Sequence, residues 1–193
     1  MALILASSSK YRQSLLHRLG LPFDAIAPDI DESAQPGESP EALATRLAHI
    51  KAYEIAANRA DDWVIGSDQV ASLNGNILGK PGTEDVAIAQ LQASSGNVVH
   101  FYTAVTLTNH RKDVHFHHLE PTAVHFRELS KAEICDYVRR DQPLDCAGSF
   151  KWESLGIALF ERLEGRDPTA LEGLPLIALS SMLQAAGLSV LRA

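Results

Sequence analysis

The most constraining stretch of the chain is its beginning. The apolar run Leu3-Ile4-Leu5-Ala6 passes through Ser7-Ser8-Ser9 straight into Lys10-Tyr11-Arg12. Leu3–Ala6 reads as a buried strand. Ser8 or Ser9 can cap a helix whose apolar face is Leu15, Leu16 and Leu19 and whose stop is Gly20. A buried strand feeding a capped helix through so short a connection belongs to layered α/β architecture. The junction also has chemical consequences. A helix N-terminus leaves backbone N–H groups unpaired and carries partial positive charge, so an anion satisfies both. The Ser7 and Ser9 hydroxyls and the Arg12 fork add charge-assisted hydrogen bonds. The chain therefore starts with the equipment to hold a phosphate.

The same alternation continues. Phe23–Pro28 reads as extended and leads into the acidic corner Asp29-Ile30-Asp31-Glu32, followed by a polar loop. Ser39-Pro40 opens a helix with an apolar stripe of Leu43, Leu47, Ile50 and Ala57. Trp63–Gly66 reads as a second buried strand, ending at Ser67-Asp68-Gln69. Asn74-Gly75 marks a tight hairpin turn. Thr83 caps a helix to about Ser94, and strands are expected at Val98–Thr108 and Val114–Phe126. Ser130-Lys131-Ala132-Glu133 fits a capping box for a helix to about Arg140. A strand at Gly156–Phe160 and a helix at Leu176–Ala186, stopped by Gly187, complete the reading. The 193 residues, 46% of them apolar, suit one α/β domain spanning 1–193.

Charge and cysteine content exclude several classes. A net charge of −7 argues against coating a nucleic acid or an acidic membrane, although a local basic pocket for one nucleotide is compatible with it. The two cysteines, Cys135 and Cys146, form no C-x-x-C pair and no disulfide framework. No apolar stretch approaches membrane length, and the N-terminal run is too short for a signal peptide. A cytoplasmic location is the expectation.

Four charged residues invite chemistry. Asp68 falls where ligands gather in open α/β sheets, at the carboxyl end of a buried strand, and could bind a divalent metal or take a proton from water. The plain alternative is a turn cap. Glu32 has oxygens suited to Mg²⁺ or Mn²⁺, though a solvated acidic loop is the commoner explanation for such a run. Lys51 lies beside the apolar stripe of its helix, a common place for a snorkelling surface lysine. In the hairpin, a two-residue loop pairs Leu73 with Asn76, and counting outward sets Lys80 opposite Gln69, next to Asp68. Strict strand alternation would turn Asp68 and Lys80 to opposite faces unless Gly79 marks a bulge. Gly75-x-x-x-Gly79-Lys80-Pro81 has the wrong spacing for a P-loop. His115 and His117 share a strand face without an acidic partner in sequence, which reads as a solvated face.

Taken in order, I-L-A-S-x-S-x-x-R, the acidic corner ending in Glu32, the helix carrying Lys51, G-S-D-Q, L-G-K-P, C-A-G-S-F and G-L-P resemble the Maf nucleotide pyrophosphatases. The match covers nearly the whole chain; Lys10 stands where many members have Pro. The resemblance implies an elongated mixed β-sheet with flanking helices, two lobes around a cleft, similar to the inosine-triphosphate pyrophosphatases. It implies hydrolysis of a nucleoside triphosphate between the α and β phosphates, with a divalent metal cofactor. Ser7, Ser9, Arg12, Lys51 and Lys80 would hold phosphates. Glu32 and Asp68 would face the metal and the attacking water, with Asp68 the proton acceptor. Because carboxylates are weak bases at neutral pH, either the metal would supply much of the activation or the site would have to make the carboxylate more basic.

Branches of the family differ at positions matching Tyr11, Gln69 and Glu153. This set resembles the branch acting on 7-methyl-GTP; the branch acting on dTTP and UTP typically shows Arg, Thr and Gln. N7-methylation gives guanine a positive charge that favours an aromatic face, and Glu153 can accept from its N1–H and N2–H. A regulatory role in septum formation, associated with some members, is the reading from another class. Dimers occur in the family, which leaves a homodimer open.

Overall fold

A computed structural model describes residues 1–191. Among these, strands β1 (Leu3–Leu5), β2 (Asp24–Ala25), β3 (Trp63–Leu73), β4 (Asn76–Leu78), β5 (Val98–Asn109), β6 (Val114–Phe126) and β7 (Phe160–Glu164) form a seven-stranded sheet. Its order is β2-β1-β3-β5-β6-β7, with β4 on β3. β1 is parallel to β2 and to β3, while β4 is antiparallel to β3 and β7 to β6, so the sheet is mixed. Helices α1 (Lys10–His17), α2 (Pro40–Asn58), α3 (Glu84–Ser94), α4 (Lys131–Asp141) and α5 (Leu176–Ala185) complete an α/β fold. None of the described helices is long and apolar enough to cross a membrane.

Local chemistry sets the helix starts. Ser9, Ser39, Thr83 and Ser130 each accept a hydrogen bond from the third backbone amide beyond them, and Ser130 with Glu133 closes a reciprocal capping box. The hairpin register is Leu73↔Asn76, as turn chemistry predicts. Its ladder ends at Ala71↔Leu78, so Lys80 lies beyond the pairing and no bulge at Gly79 is formed.

Three sequence expectations are corrected. β3 does not stop at Ser67-Asp68-Gln69 but runs on to Leu73, with Ser67 and Asp68 finding partners inside the fold. Gly156–Phe160 is not a strand: Leu155–Leu159 forms 3-10 turns, and the strand starts at Phe160. A Cβ at Gly156 would lie 2.3 Å from the Lys151 carbonyl, so the glycine serves a tight turn. On α2 the buried stripe is Leu43, Ala44, Leu47, Ala48, Lys51, Ala52, Ile55 and Ala56; Ala57 faces solvent.

The chain forms two compact units. The first comprises Met1–Asp68, Thr103–Glu120 and the segment from Asp167 onward; the second comprises Gln69–Tyr102 and Pro121–Arg166. In the first unit, strand alternation separates two cores. Leu3, Leu5, Trp63 and Ile65 pack with Leu15 and Leu16 of α1 and with Leu176, Leu179 and Leu183 of α5. Ile4, Ala6 and Val64 face the other way, onto Ala52, Ile55 and Ala56 of α2. The second unit is centred on Phe101, Phe126, Phe150 and Phe160, whose rings meet edge to face.

Candidate active site

The site grows from a close approach of α2 to β3. Gly66 continues the face of β3 that carries Val64, and a Cβ there would lie 2.2 Å from the Ala48 carbonyl oxygen and 2.7 Å from the Ala52 amide nitrogen. Only glycine allows helix and strand backbones to lie this near. Asp68 is two residues further along the same face, and Lys51 lies between Ala48 and Ala52 on the buried stripe. The approach therefore delivers Lys51 onto Asp68: its Nζ donates to Asp68 Oδ1 at 2.6 Å. Both residues are buried, at 5% and 7% exposure. Lys51 is thus not a snorkelling surface lysine, and Asp68 is a mid-strand residue, not a turn cap.

Lys51 Nζ also meets Glu32 Oε1 at 2.8 Å, although the Glu32 side chain is 58% exposed. One ammonium thus joins two carboxylates that are distant in sequence. A second cation stands beside them, with Arg12 Nη2 3.9 Å from Asp68 Oδ1. Arg12 is itself oriented, because its Nε donates to the Gly173 carbonyl at 2.9 Å. That carbonyl also accepts from Ser67 Oγ at 2.9 Å, and Gly173 holds a left-handed φ of 103° to present it. Asp167 fixes the same segment from within by accepting from the Thr169 amide and hydroxyl and from the Ile177 amide. The Gly-Leu-Pro segment thus aims the guanidinium.

The serine loop is built by its own hydroxyls. Ser7 Oγ accepts from the Ser9 amide at 3.1 Å, and Ser9 Oγ accepts from the Arg12 amide at 3.4 Å. These bonds use oxygen lone pairs and leave each O–H able to donate to an anion. Tyr11 lies between Lys10 and Arg12 on α1 and is half-buried. Ser7, Ser9, Tyr11, Arg12, Glu32, Lys51 and Asp68 all belong to the first unit.

The other candidates belong to the second unit. Gln69 is half-buried on β3, and Lys80 is exposed beyond β4. Glu153 is exposed on a turn anchored by Lys151, whose amide donates to Tyr137 Oη at 3.0 Å and whose Nζ donates to the Asp141 and Gln142 carbonyls at the end of α4. Cys146 lies near this turn, and burial pushes its thiol up to about 12, far from a reactive thiolate.

Sequence reasoning missed Arg46. Its Nε and Nη2 grip Glu38 at 2.6 and 2.7 Å, and Nη2 also donates to the Ser33 carbonyl at 2.9 Å. The guanidinium holds the Glu38 carboxyl down at about 2, and the Ser33 amide lowers Asp31. No fixed spacing announces a helix residue that grips an irregular loop, so only the fold reveals it. His115 and His117 both reach solvent, as a solvated strand face implies, and His117 gains a neighbour from α2. His117 stacks on His49 of α2 with ring centroids 4.7 Å apart, and His118 Nε2 lies 2.9 Å from the buried Glu120 carboxylate. Burial lowers the pKa of both His49 and His117; neighbouring imidazoles lower it further.

Two carboxylates converging on one cation offer the hard oxygen donors that Mg²⁺ and Mn²⁺ take. Among the described residues no group of three or more His, Cys, Asp or Glu side chains could hold a metal ion. The donor set therefore fits an ion completed by phosphate and water, not an all-protein cage.

The family model for Maf-like protein matches residues 2–186. A 7-methyl-GTP pyrophosphatase of Xanthomonas axonopodis pv. citri (strain 306) is 54% identical over 188 residues, which is 97% of this chain and 98% of that protein. The Ham1 protein of Staphylococcus aureus is a structural neighbour with TM-score 0.49 and 14% identity, over 66% of this chain and 73% of that one. A HAM1 protein from Coxiella burnetii gives 0.48 and 19%, over 67% and 75%.

Proposed function

The chain belongs to the Maf-like family and is a nucleotide pyrophosphatase, and we propose that its substrate is 7-methyl-GTP, cleaved to 7-methyl-GMP and diphosphate. The observation that carries the reading is the pairing of one buried lysine with Asp68 and Glu32. A buried ion pair is not a gain in stability over packed apolar residues. Its persistence suits a site that must present charge to a ligand.

In this reading Ser7, Ser9 and Arg12 donate to phosphate oxygens, with the guanidinium held in place from Gly173. Lys51 orients the Asp68 carboxylate, which accepts the proton of the attacking water. Glu32 and Asp68 would hold a divalent cation, which when bound withdraws charge from the triphosphate and favours departure of diphosphate. Lys80 supplies a further cation for the leaving group. Tyr11, Gln69 and Glu153 select the base: Tyr11 offers a face to the cationic ring, and Glu153 accepts from guanine N1–H and N2–H. The enzyme acts on a free nucleotide of the cytoplasm.

Diphosphate release from a panel of 7-methyl-GTP, GTP, dTTP and UTP tests the proposal, with Mg²⁺ or Mn²⁺ present and with chelator. The highest kcat/KM is expected for 7-methyl-GTP with metal. Preference for UTP or dTTP would replace the substrate assignment. An Asp68→Asn variant with wild-type turnover would remove Asp68 from the chemistry.

A further inference from the structure

Glu32 poses a physical problem. It lies on a polar segment between β2 and α2 that has no regular secondary structure, and its side chain is more than half exposed. Its carboxylate nevertheless reaches the buried Lys51 Nζ at 2.8 Å. One ion pair whose acid stays more than half exposed does little by itself to order a loop, because ordering the long side chain and its backbone offsets the attraction. Something else must hold the segment.

The Ser33 peptide, immediately after Glu32, is gripped from both sides. Its amide donates to Asp31 Oδ1 at 2.9 Å, and its carbonyl accepts from Arg46 Nη2 at 2.9 Å. Arg46 does not reach alone. Its fork is fixed by the two-pronged bond to Glu38, and Glu38 Oε2 also accepts from the Gln35 amide at 2.9 Å. The arrangement ties both ends of the loop to one guanidinium. That guanidinium projects from α2, the helix that also carries Lys51, about 7.5 Å further along its axis. The anchor of the loop and the receiver of Glu32 therefore move as one body.

We propose that Arg46, locked by Glu38, is the positioning residue that holds the Glu32 carboxylate at Lys51 and beside Asp68. This rests on the proposed role of Glu32 in the metal and water site. Lysine at position 46 keeps the charge but cannot make the forked bond and reach Ser33 together. Glutamine at position 38 keeps the shape and removes the charge that fixes the fork.

The test compares Arg46→Lys, Glu38→Gln, Glu32→Gln and the double variant Arg46→Lys/Glu32→Gln. Folding is checked by thermal melting. The readouts are kcat and KM for nucleotide, and Mn²⁺ binding without nucleotide, followed by the free-ion EPR signal. Arg46→Lys and Glu38→Gln are expected to lower kcat roughly 10-fold or more, as misplacement of a site group does, with KM within about twofold. Both should weaken Mn²⁺ several-fold. In the Glu32→Gln background, Arg46→Lys should cost little more, because the two act through one carboxylate. Independent, multiplicative losses in the double variant would overturn the proposal. So would wild-type kcat and Mn²⁺ affinity in folded Arg46→Lys and Glu38→Gln variants while Glu32→Gln is impaired. Wild-type behaviour of Glu32→Gln itself would instead overturn the role given to Glu32.

Discussion

Replacing Lys51 by Met gives the sharpest check on the central triad. The change keeps the length and apolar stem of the side chain and deletes only the ammonium. Asp68 is then left 7% exposed without its 2.6 Å partner. Removing one member of a buried ion pair costs about 3–5 kcal/mol, because the survivor stays desolvated. Two features favour the lower end. Arg12 remains 3.9 Å from the same Asp68 oxygen, and Glu32 is exposed enough to regain water. A loss of about 3 kcal/mol follows, or a fall in Tm of roughly 6–12 °C for a chain of this size. Adding Asp68→Asn to Lys51→Met removes the stranded charge, so the double variant should recover at least half of the loss. Urea unfolding followed by tryptophan fluorescence measures both. Trp63 and Trp152 are the only tryptophans and lie in different units, so a Trp152→Phe background reports the unit that holds the triad. A Lys51→Met loss below about 0.5 kcal/mol, the ordinary range for a surface substitution, would refute the reasoning. So would losses that simply add in the double variant.

Gly66→Ala should destabilise the protein by about 3 kcal/mol or more and abolish turnover, because the new methyl meets the Ala48 carbonyl and pushes α2 off β3; urea melts within about 1 kcal/mol of wild type would contradict the close approach. Acid should weaken the fold through His49 and His117. Their folded pKa values lie below the unfolded value of 6.5, so the stability they confer is full above 6.5 and lost as pH falls through the folded values. His117→Phe should flatten the Tm-versus-pH slope between about pH 6.5 and 5, and an unchanged slope would assign it to other groups. Glu153→Gln should cut the preference for 7-methyl-GTP over GTP roughly 10-fold, the worth of a hydrogen bond to a charged group, and an unaltered ratio in steady-state assays would exclude Glu153 from base selection.

What could be read from the sequence was local. Ser9, Ser39, Thr83 and Ser130 announce helix starts because a cap is a bond between near neighbours. Asn74-Gly75 fixes the Leu73↔Asn76 register for the same reason. The errors at the site involve distant partners. Ser67 and Asp68 look like a strand end until the Ala104 carbonyl and Lys51 are known to receive them. Lys51 looks like a surface lysine because nothing in its own helix shows that Gly66 will admit α2 so closely. Arg46 carries no motif, since its partners are a loop carbonyl and a carboxylate eight residues back. The family resemblance supplied candidate residues, and for Arg12, Glu32, Lys51 and Asp68 the fold supplied the reason they meet.

That meeting also bears on what the site needs from outside itself. Four charged side chains converge in the first unit: Arg12 and Lys51 against Glu32 and Asp68. Their charges cancel. Lys51 is held by both carboxylates, and Arg12 is tethered to Gly173 and faces Asp68. Such mutual neutralisation keeps the groups in place without substrate, which is the preorganisation that electrostatic catalysis requires. It also means that a nucleoside triphosphate, itself strongly anionic, finds no surplus positive charge among these four groups. Neutralising its phosphates requires further cations, and desolvated phosphate charge without them is prohibitively costly. On the proposed reading, Glu32 and Asp68 would hold a divalent ion that supplies this charge. The balanced cluster of four is therefore a reason to expect metal dependence that stands apart from family resemblance.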